Sequence, residues 1–188
     1  FVMNMSELLY SSYRHSPGKE TIQRIIQSDA DRVLLYGSDN KIVVTSLPIH
    51  QELVADLTGI LKYKNVYAFH PTGPTYSLSG DIINGPELSK KILSIVHQLK
   101  VQKVNVIPYG TTYEFLQLVE WLKKKLPRIK VLAPESCNQE QLFLRDYVDQ
   151  KSGFRDYWSR SQAQIKSPEG FVCKNADQAI KAAGYFHS

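Results

Sequence analysis

Apolar and polar positions along the chain follow two periods. Short runs rich in β-branched and aromatic residues predict strands at residues 1–5, 33–36, 41–45, 65–69, 103–107 and 130–132. Between them lie segments whose apolar residues recur three and four apart. In 86–100, Leu88, Ile92, Ile95, Val96 and Leu99 share one face, and Pro86 and Glu87 suit a first helical turn. Residues 112–125 repeat the pattern with Phe115, Leu118, Val119 and Leu122, between threonines that can cap a helix and the helix-stopping Pro127. Residues 50–61 do so with Leu53, Val54, Leu57 and Leu61. Strands alternating with amphipathic helices predict an α/β fold with a mostly parallel, doubly wound sheet covered by helices. Between Tyr36 and Lys41 stand only Gly37, Ser38, Asp39 and Asn40, which permits a hairpin and one antiparallel pair.

Ligands of such sheets bind beyond the carboxyl ends of the strands, so 4–12, 70–85 and 108–112 are the candidate loops. The segment 70–85 is longer than usual α/β connections, and loops of that length are often functional. His70, Thr72 and Gly73 open it; a lone histidine is more often a surface or hydrogen-bonded residue than a catalyst. Tyr109, Gly110, Thr111 and Thr112 sit between strand and helix. Their N–H groups and hydroxyls can receive a carboxylate or phosphate, and a simple capped helix accounts for them equally well. Strands cease after Ala133 and Pro134, and 139–161 is a polar, aromatic-bearing helical stretch. The expected domains are therefore 1–134 and 135–188, the latter continuing through a turn and strand at 166–173 to a helix from Asn175.

Composition narrows the function classes. Hydrophobic content of 43% and charged content of 22% are those of an ordinary soluble domain, and no apolar run is long enough to span a membrane. The formal charge of +5 is spread along the chain, and its densest run, Lys123-Lys124-Lys125, falls where a helix C-terminus favours cations. No aromatic-interleaved basic stripe accompanies it, so neither a nucleic-acid nor a membrane partner is expected. Cys137 and Cys173 make no disulfide framework or C-x-x-C site, which fits a cytoplasmic setting. Phe1 begins at once in a strand candidate and the last helix stops at His187 and Ser188, so the expectation is a piece of a longer protein. Apolar faces left uncovered in such a piece can pair two copies into an artificial homodimer, and the sequence does not set the oligomeric state.

The most specific signal is an ordered series near the C-terminus. Asp149-Gln150-Lys151-Ser152-Gly153-Phe154-Arg155, a helix, Ser167-Pro168-Glu169-Gly170-Phe171-Val172-Cys173 and Asn175-Ala176-Asp177-Gln178-Ala179-Ile180 resemble the entrance to an ATP-grasp domain. Asn105-Val106-Ile107-Pro108-Tyr109-Gly110-Thr111-Thr112, followed by Leu144-Arg145-Asp146-Tyr147-Val148, is similar to the pre-ATP-grasp region of carboxylate-amine ligases of the pheganomycin type. The resemblance implies a Rossmann-like pre-ATP-grasp domain, a helical linker and the first part of an ATP-grasp subdomain. It implies a parent enzyme that joins a carboxylate substrate to an amine substrate through an acyl phosphate. ATP and Mg would serve the full-length protein, whose ATP-grasp remainder is the implied partner, and neither would bind tightly to this piece.

By the same resemblance Lys151 matches a lysine that holds nucleotide phosphates, although Gln150 here separates it from the family's adjacent Asp. Arg155 reads better as a structural partner of Asp156 or Asp149. Ser6 and Glu7 match a loop that touches substrate, and they equally fit a capping pair at a helix start. No G-x-G-x-x-G, P-loop or G-x-S-x-G motif is present, which disfavours dinucleotide, P-loop and α/β-hydrolase readings. A non-catalytic α/β binding or interaction module is the rival. A response domain would need an acidic cluster that the isolated Asp39 and Asp81 do not supply.

Overall fold

The computed structural model describes residues 1–13, 21, 25–26, 30–37, 39–148, 151–161 and 169–187. After an extended start, helix α1 (Met5–Tyr13) is followed by a 3-10 turn (Asp31–Leu35), β1 (Lys41–Val44), α2 (Gln51–Leu61) and β2 (Val66–Phe69). Then come α3 (Leu78–Asn84), α4 (Pro86–Gln98), β3 (Lys103–Asn105), α5 (Tyr113–Lys125) and β4 (Lys130–Leu132). The series closes with α6 (Gln139–Phe143), a π-helical turn (Leu144–Val148), α7 (Lys151–Arg160) and α8 (Ala176–His187). Two compact units divide between Leu142 and Phe143, where the sequence suggests a boundary at 134/135.

The fold is α/β with two small parallel sheets, β1 beside β2 and β3 beside β4. The segment 1–3 touches both. Val2 bridges in parallel to Val44 and to Pro108, Met3 N donates to Val44 O at 2.9 Å, and Val2 N donates to Ile107 O at 2.8 Å. Past Asn105 the second ladder continues through Val106 N, which donates to Leu132 O at 2.7 Å. Side chains alternate as parallel strands demand. Val2 and Val44 join one core with Leu78, Ile92, Val96, Phe115 and Leu118 of α3, α4 and α5. Met3 and Val43 join the opposite core with Val33, Leu34 and Ile49, flanked by Leu53, Val54 and Leu57 of α2. The 1–3 segment and β1 are thus covered on both faces, whereas Lys103 and Asn105 of β3 and Lys130 of β4 are exposed.

The expected strand at 33–36 is instead the 3-10 turn, so no hairpin forms with β1. The buried Lys41 explains why. Its ammonium donates to Leu34 O at 2.7 Å and Tyr36 O at 2.9 Å and lies 3.7 Å from the centre of the Tyr63 ring. Those carbonyls close a turn that still buries Val33 and Leu34. The segment 70–85 is also not all loop. Ser77 caps α3 by accepting from Gly80 N at 3.0 Å, and α3 buries Leu78, Ser79 and Ile82.

In the second unit α7 packs on the π-helical turn. Gly153 permits this, because a Cβ there would stand 1.9 Å from Tyr147 O. The Tyr147 hydroxyl donates to Asp156, which also accepts from Arg160 at 2.8 Å; the tyrosine bond and the arginine hold the Asp156 carboxyl below its usual range. Asn175 caps α8 through Gln178 N at 2.9 Å, and Gln178 reaches back to Lys174 N at 2.7 Å. Residues 171–173 form no strand, contrary to the sequence reading; 162–168 lie outside the described residues. Phe171 packs instead edge-on against Tyr185 of α8, with ring centres 5.3 Å apart.

Candidate functional site

Two candidate loops converge at the carboxyl ends of the strands in the first unit, and Asn4 ties them together. It is wholly buried where the 1–3 segment turns into α1. Its Oδ1 accepts from Tyr109 N at 3.0 Å and Gly110 N at 3.2 Å. Its Nδ2 donates to Glu7 Oε2 and to Gly110 O, both at 2.9 Å, and lies 3.3 Å from Thr112 Oγ1. The amide orientation is fixed by these partners, since the flipped amide would set its carbonyl against the Glu7 carboxylate.

Glu7 extends the network to a third element. Its Oε2 also accepts from the Thr112 hydroxyl at 2.5 Å, and its Oε1 accepts from Ser79 N at 2.5 Å in the first turn of α3. Thr112 meanwhile caps α5 by accepting from Phe115 N at 3.0 Å. The carboxylate therefore sits where helix starts present N–H and O–H donors. The buried hydroxyl of Ser79 has no hydrogen-bond partner among the described residues. Ser6 is buried, with its hydroxyl 3.3 Å from that of Ser46.

The rest of the 108–112 loop lines the outside of this knot. Tyr109 is about half exposed, at 48%. The Thr111 hydroxyl donates to Cys137 Sγ at 3.3 Å. A Cβ on Gly110 would lie 2.3 Å from Leu8 Cδ1, so the glycine lets α1 close onto the loop. Thr72 and Gly73 are exposed in the 70–77 stretch and join none of these bonds, whereas Thr75 N and its hydroxyl bond to Asp81 at 2.9 and 2.7 Å. His70 Nδ1 donates to Pro71 O at 3.1 Å, which accounts for it structurally.

Glu7, Tyr109, Gly110 and Thr112 thus share one hydrogen-bonded knot with Asn4, the hydroxyls of Ser6 and Thr111 turn to Ser46 and Cys137, and Thr72 and Gly73 take no part in these hydrogen bonds. Sequence reasoning missed Asn4 and Ser79 as members. The available signal was an Asn at a strand end three residues ahead of a Glu, the spacing of a helix start.

Lys151 opens α7 as an exposed side chain, and Arg155 donates to Gly170 O at 3.4 Å; Asp149 and Gln150 lie outside the described residues. Among the described residues no group of three His, Cys, Asp or Glu converges as a metal site. No described helix is long and apolar enough to cross a membrane. No family model, curated protein or solved structure matches the chain.

Proposed function

We propose that the first unit is a Rossmann-like substrate-binding domain, the pre-ATP-grasp part of a carboxylate-amine ligase whose ATP-grasp portion opens in the second unit. One observation carries the binding role. Because segment 1–3 is hydrogen-bonded to both ladders, the backbone runs across the unit in the order 66–69, 41–44, 1–3, 105–108, 130–132. The direction of progression reverses between 1–3 and 105–108, and doubly wound folds take ligands at the carboxyl side of such a reversal. Asn4, Glu7 and the 109–112 loop occupy that place. Lys151 is the single phosphate contact that the resemblance assigns to this chain, so ATP and Mg are assigned mainly to the remainder of the ATP-grasp domain.

The chemistry of the knot favours an amine at its surface. Glu7 Oε1 carries one hydrogen bond and keeps acceptor capacity, while the donors nearest it are already engaged by the carboxylate. The carboxylate substrate would then meet the outer 109–112 loop, where Tyr109 and Thr111 are accessible.

Titrating amines, amino acids and small carboxylates into the isotope-labelled chain tests the binding role. Saturable amide shifts at Ser6, Tyr109, Gly110 and Thr111, weakened by Glu7→Gln, are expected. Shifts confined to other surfaces, or none, overturn it. The ligase role is tested separately in a chain carried through a complete ATP-grasp domain. Substrate-dependent ADP release is expected there; binding without ADP release from any amine and carboxylate pair leaves the rival, a non-catalytic binding module.

A further inference from the structure

Helices α3, α4 and α5 turn their apolar stripes into the core that holds Val2 and Val44. Between the outer sides of α4 and α5 this leaves a groove of about 520 Å³, lined by none of the residues of the knot. Its floor is apolar: Ile83 at the end of α3, Leu93 of α4 and Trp121 of α5 are half-buried and pack on the core from outside. Its edges are cationic. Lys90 and His97 stand two helical turns apart on α4, and Lys125 stands on α5 one turn beyond Trp121.

Among the described residues no carboxylate lines the groove, and Lys90, His97 and Lys125 make no ion pair. Glu120, beside Trp121 in the sequence, is instead paired with Lys123 at 2.7 Å. The Lys125 ammonium lies 5.9 Å from the centre of the Trp121 ring, a long cation–π contact rather than a charge neutralised by a partner. The groove therefore combines an apolar floor with uncompensated positive charge.

Its shape selects among anionic occupants. Small ligands are held by burying most of their surface. Here Asn84, Pro86, Lys90, Ser94, His97 and Lys125 are all exposed, so the groove is open to water. It is also long: from Pro86 to His97 the α4 wall runs about 17 Å at 1.5 Å per residue. An extended peptide would need backbone partners, and the interior turns of α4 and α5 already satisfy their own N–H and C=O groups. A helix arrives with its backbone satisfied and asks only for a complementary stripe of side chains.

We propose that the groove between α4 and α5 is a docking site for an acidic amphipathic helix of a partner protein. The apolar stripe of that helix covers Ile83, Leu93 and Trp121. Carboxylates on one flank of the stripe meet Lys90 and His97, and those on the other meet Lys125. Lys125 exchanges the ring of Trp121 for a carboxylate, and the freed ring packs on an aliphatic anchor of the partner.

The test uses the whole chain with Trp158→Phe, which leaves Trp121 as its only tryptophan. The probe is a synthetic peptide of about 14 residues, enough to span the groove as a helix, with leucines three and four apart and glutamates beside them. A saturable movement of Trp121 emission to shorter wavelength is expected as the indole leaves water. Affinity is expected to fall about fivefold or more in about 0.5 M salt, where exposed charges are screened. It is expected to fall at least about tenfold in the Lys90→Glu, Lys125→Glu double variant, whose fold is checked by circular dichroism. A peptide with lysines in place of the glutamates is expected to bind the double variant and not the parent, a rescue that a folding defect cannot imitate. Equal affinity for a scrambled peptide of the same composition overturns the proposal, because the groove would then be a non-specific basic patch. So does tighter binding of single-stranded RNA through Lys90 and Lys125, which would make it a nucleic-acid surface.

Discussion

Replacing Asn4 by Ala removes the buried side chain that, together with Glu7, ties the start of α1 to the 109–112 loop. The substitution strands Gly110 N–H and Gly110 C=O, leaves Tyr109 N–H with its bond to Val2 O alone, and takes a donor from the Glu7 carboxylate. Each buried group left unsatisfied costs about 1–3 kcal/mol, and the costs are not additive because a water can enter the vacated space. A total of about 3 kcal/mol follows, the lower part of the summed range. At ~2–4 °C per kcal/mol for a chain of this size, the thermal midpoint falls by about 6–12 °C, readable by circular dichroism or calorimetry. A loss below ~1 kcal/mol would refute the view that Asn4 closes this site.

The near-isosteric Asn4→Asp separates shape from hydrogen bonding. It sets a second carboxylate against Glu7 Oε2 and Gly110 O, each 2.9 Å from the present Nδ2. The introduced group must be raised above its unfolded value of about 3.9, so the folded state holds the extra proton and stability falls as pH climbs from about 4. A pH-independent defect would show that Glu7 does not face this position.

Lys41→Met removes the donor to Leu34 O and Tyr36 O while keeping an apolar stem, and an equilibrium stability loss of about 1–3 kcal/mol is expected in urea titrations. Desolvation lowers the Lys41 pKa in the folded state, opposed by Asp39. The unfolded chain therefore holds the proton longer, and wild-type stability gains from Lys41 as pH rises toward 10.5; equal alkaline slopes for wild type and variant would contradict this. In the second unit, Gly153→Ala forces a Cβ into Tyr147 O and is expected to separate α7 from the π-helical turn. Lost exchange protection across Lys151–Arg160, with the first unit unchanged, is the signature; full retention would refute the close approach.

Helices α4 and α5 were legible because their apolar stripes run for several turns and carry Pro86 or Thr112 at the start. The sequence 33–36 misled because a four-residue apolar run buries equally well in a strand or a tight turn, and what decides here is a lysine further on whose ammonium collects the carbonyls. Helix α3 was hidden by its brevity, although Ser77 ahead of Leu78 carries a cap signal. Of the candidate site, the hydroxyl-rich 109–112 loop was visible. Asn4 was not, because its role depends on groups 105 and 106 residues away that only the sheet brings near.

The way segment 1–3 joins the two ladders also sets an order of assembly during synthesis. β1 with β2 and β3 with β4 are each pairings between near neighbours in the chain, with loop closures of similar modest entropic cost. The 1–3 segment leaves the ribosome ahead of all four strands, yet its bonds to Ile107 and Tyr109 must await those residues. Until then a nascent chain can form at most one half-sheet with an unsatisfied edge. Docking of the opening residues against the 105–109 stretch is consequently a late and topologically slow event, at which a trapping chaperone or a competing strand would have its opportunity.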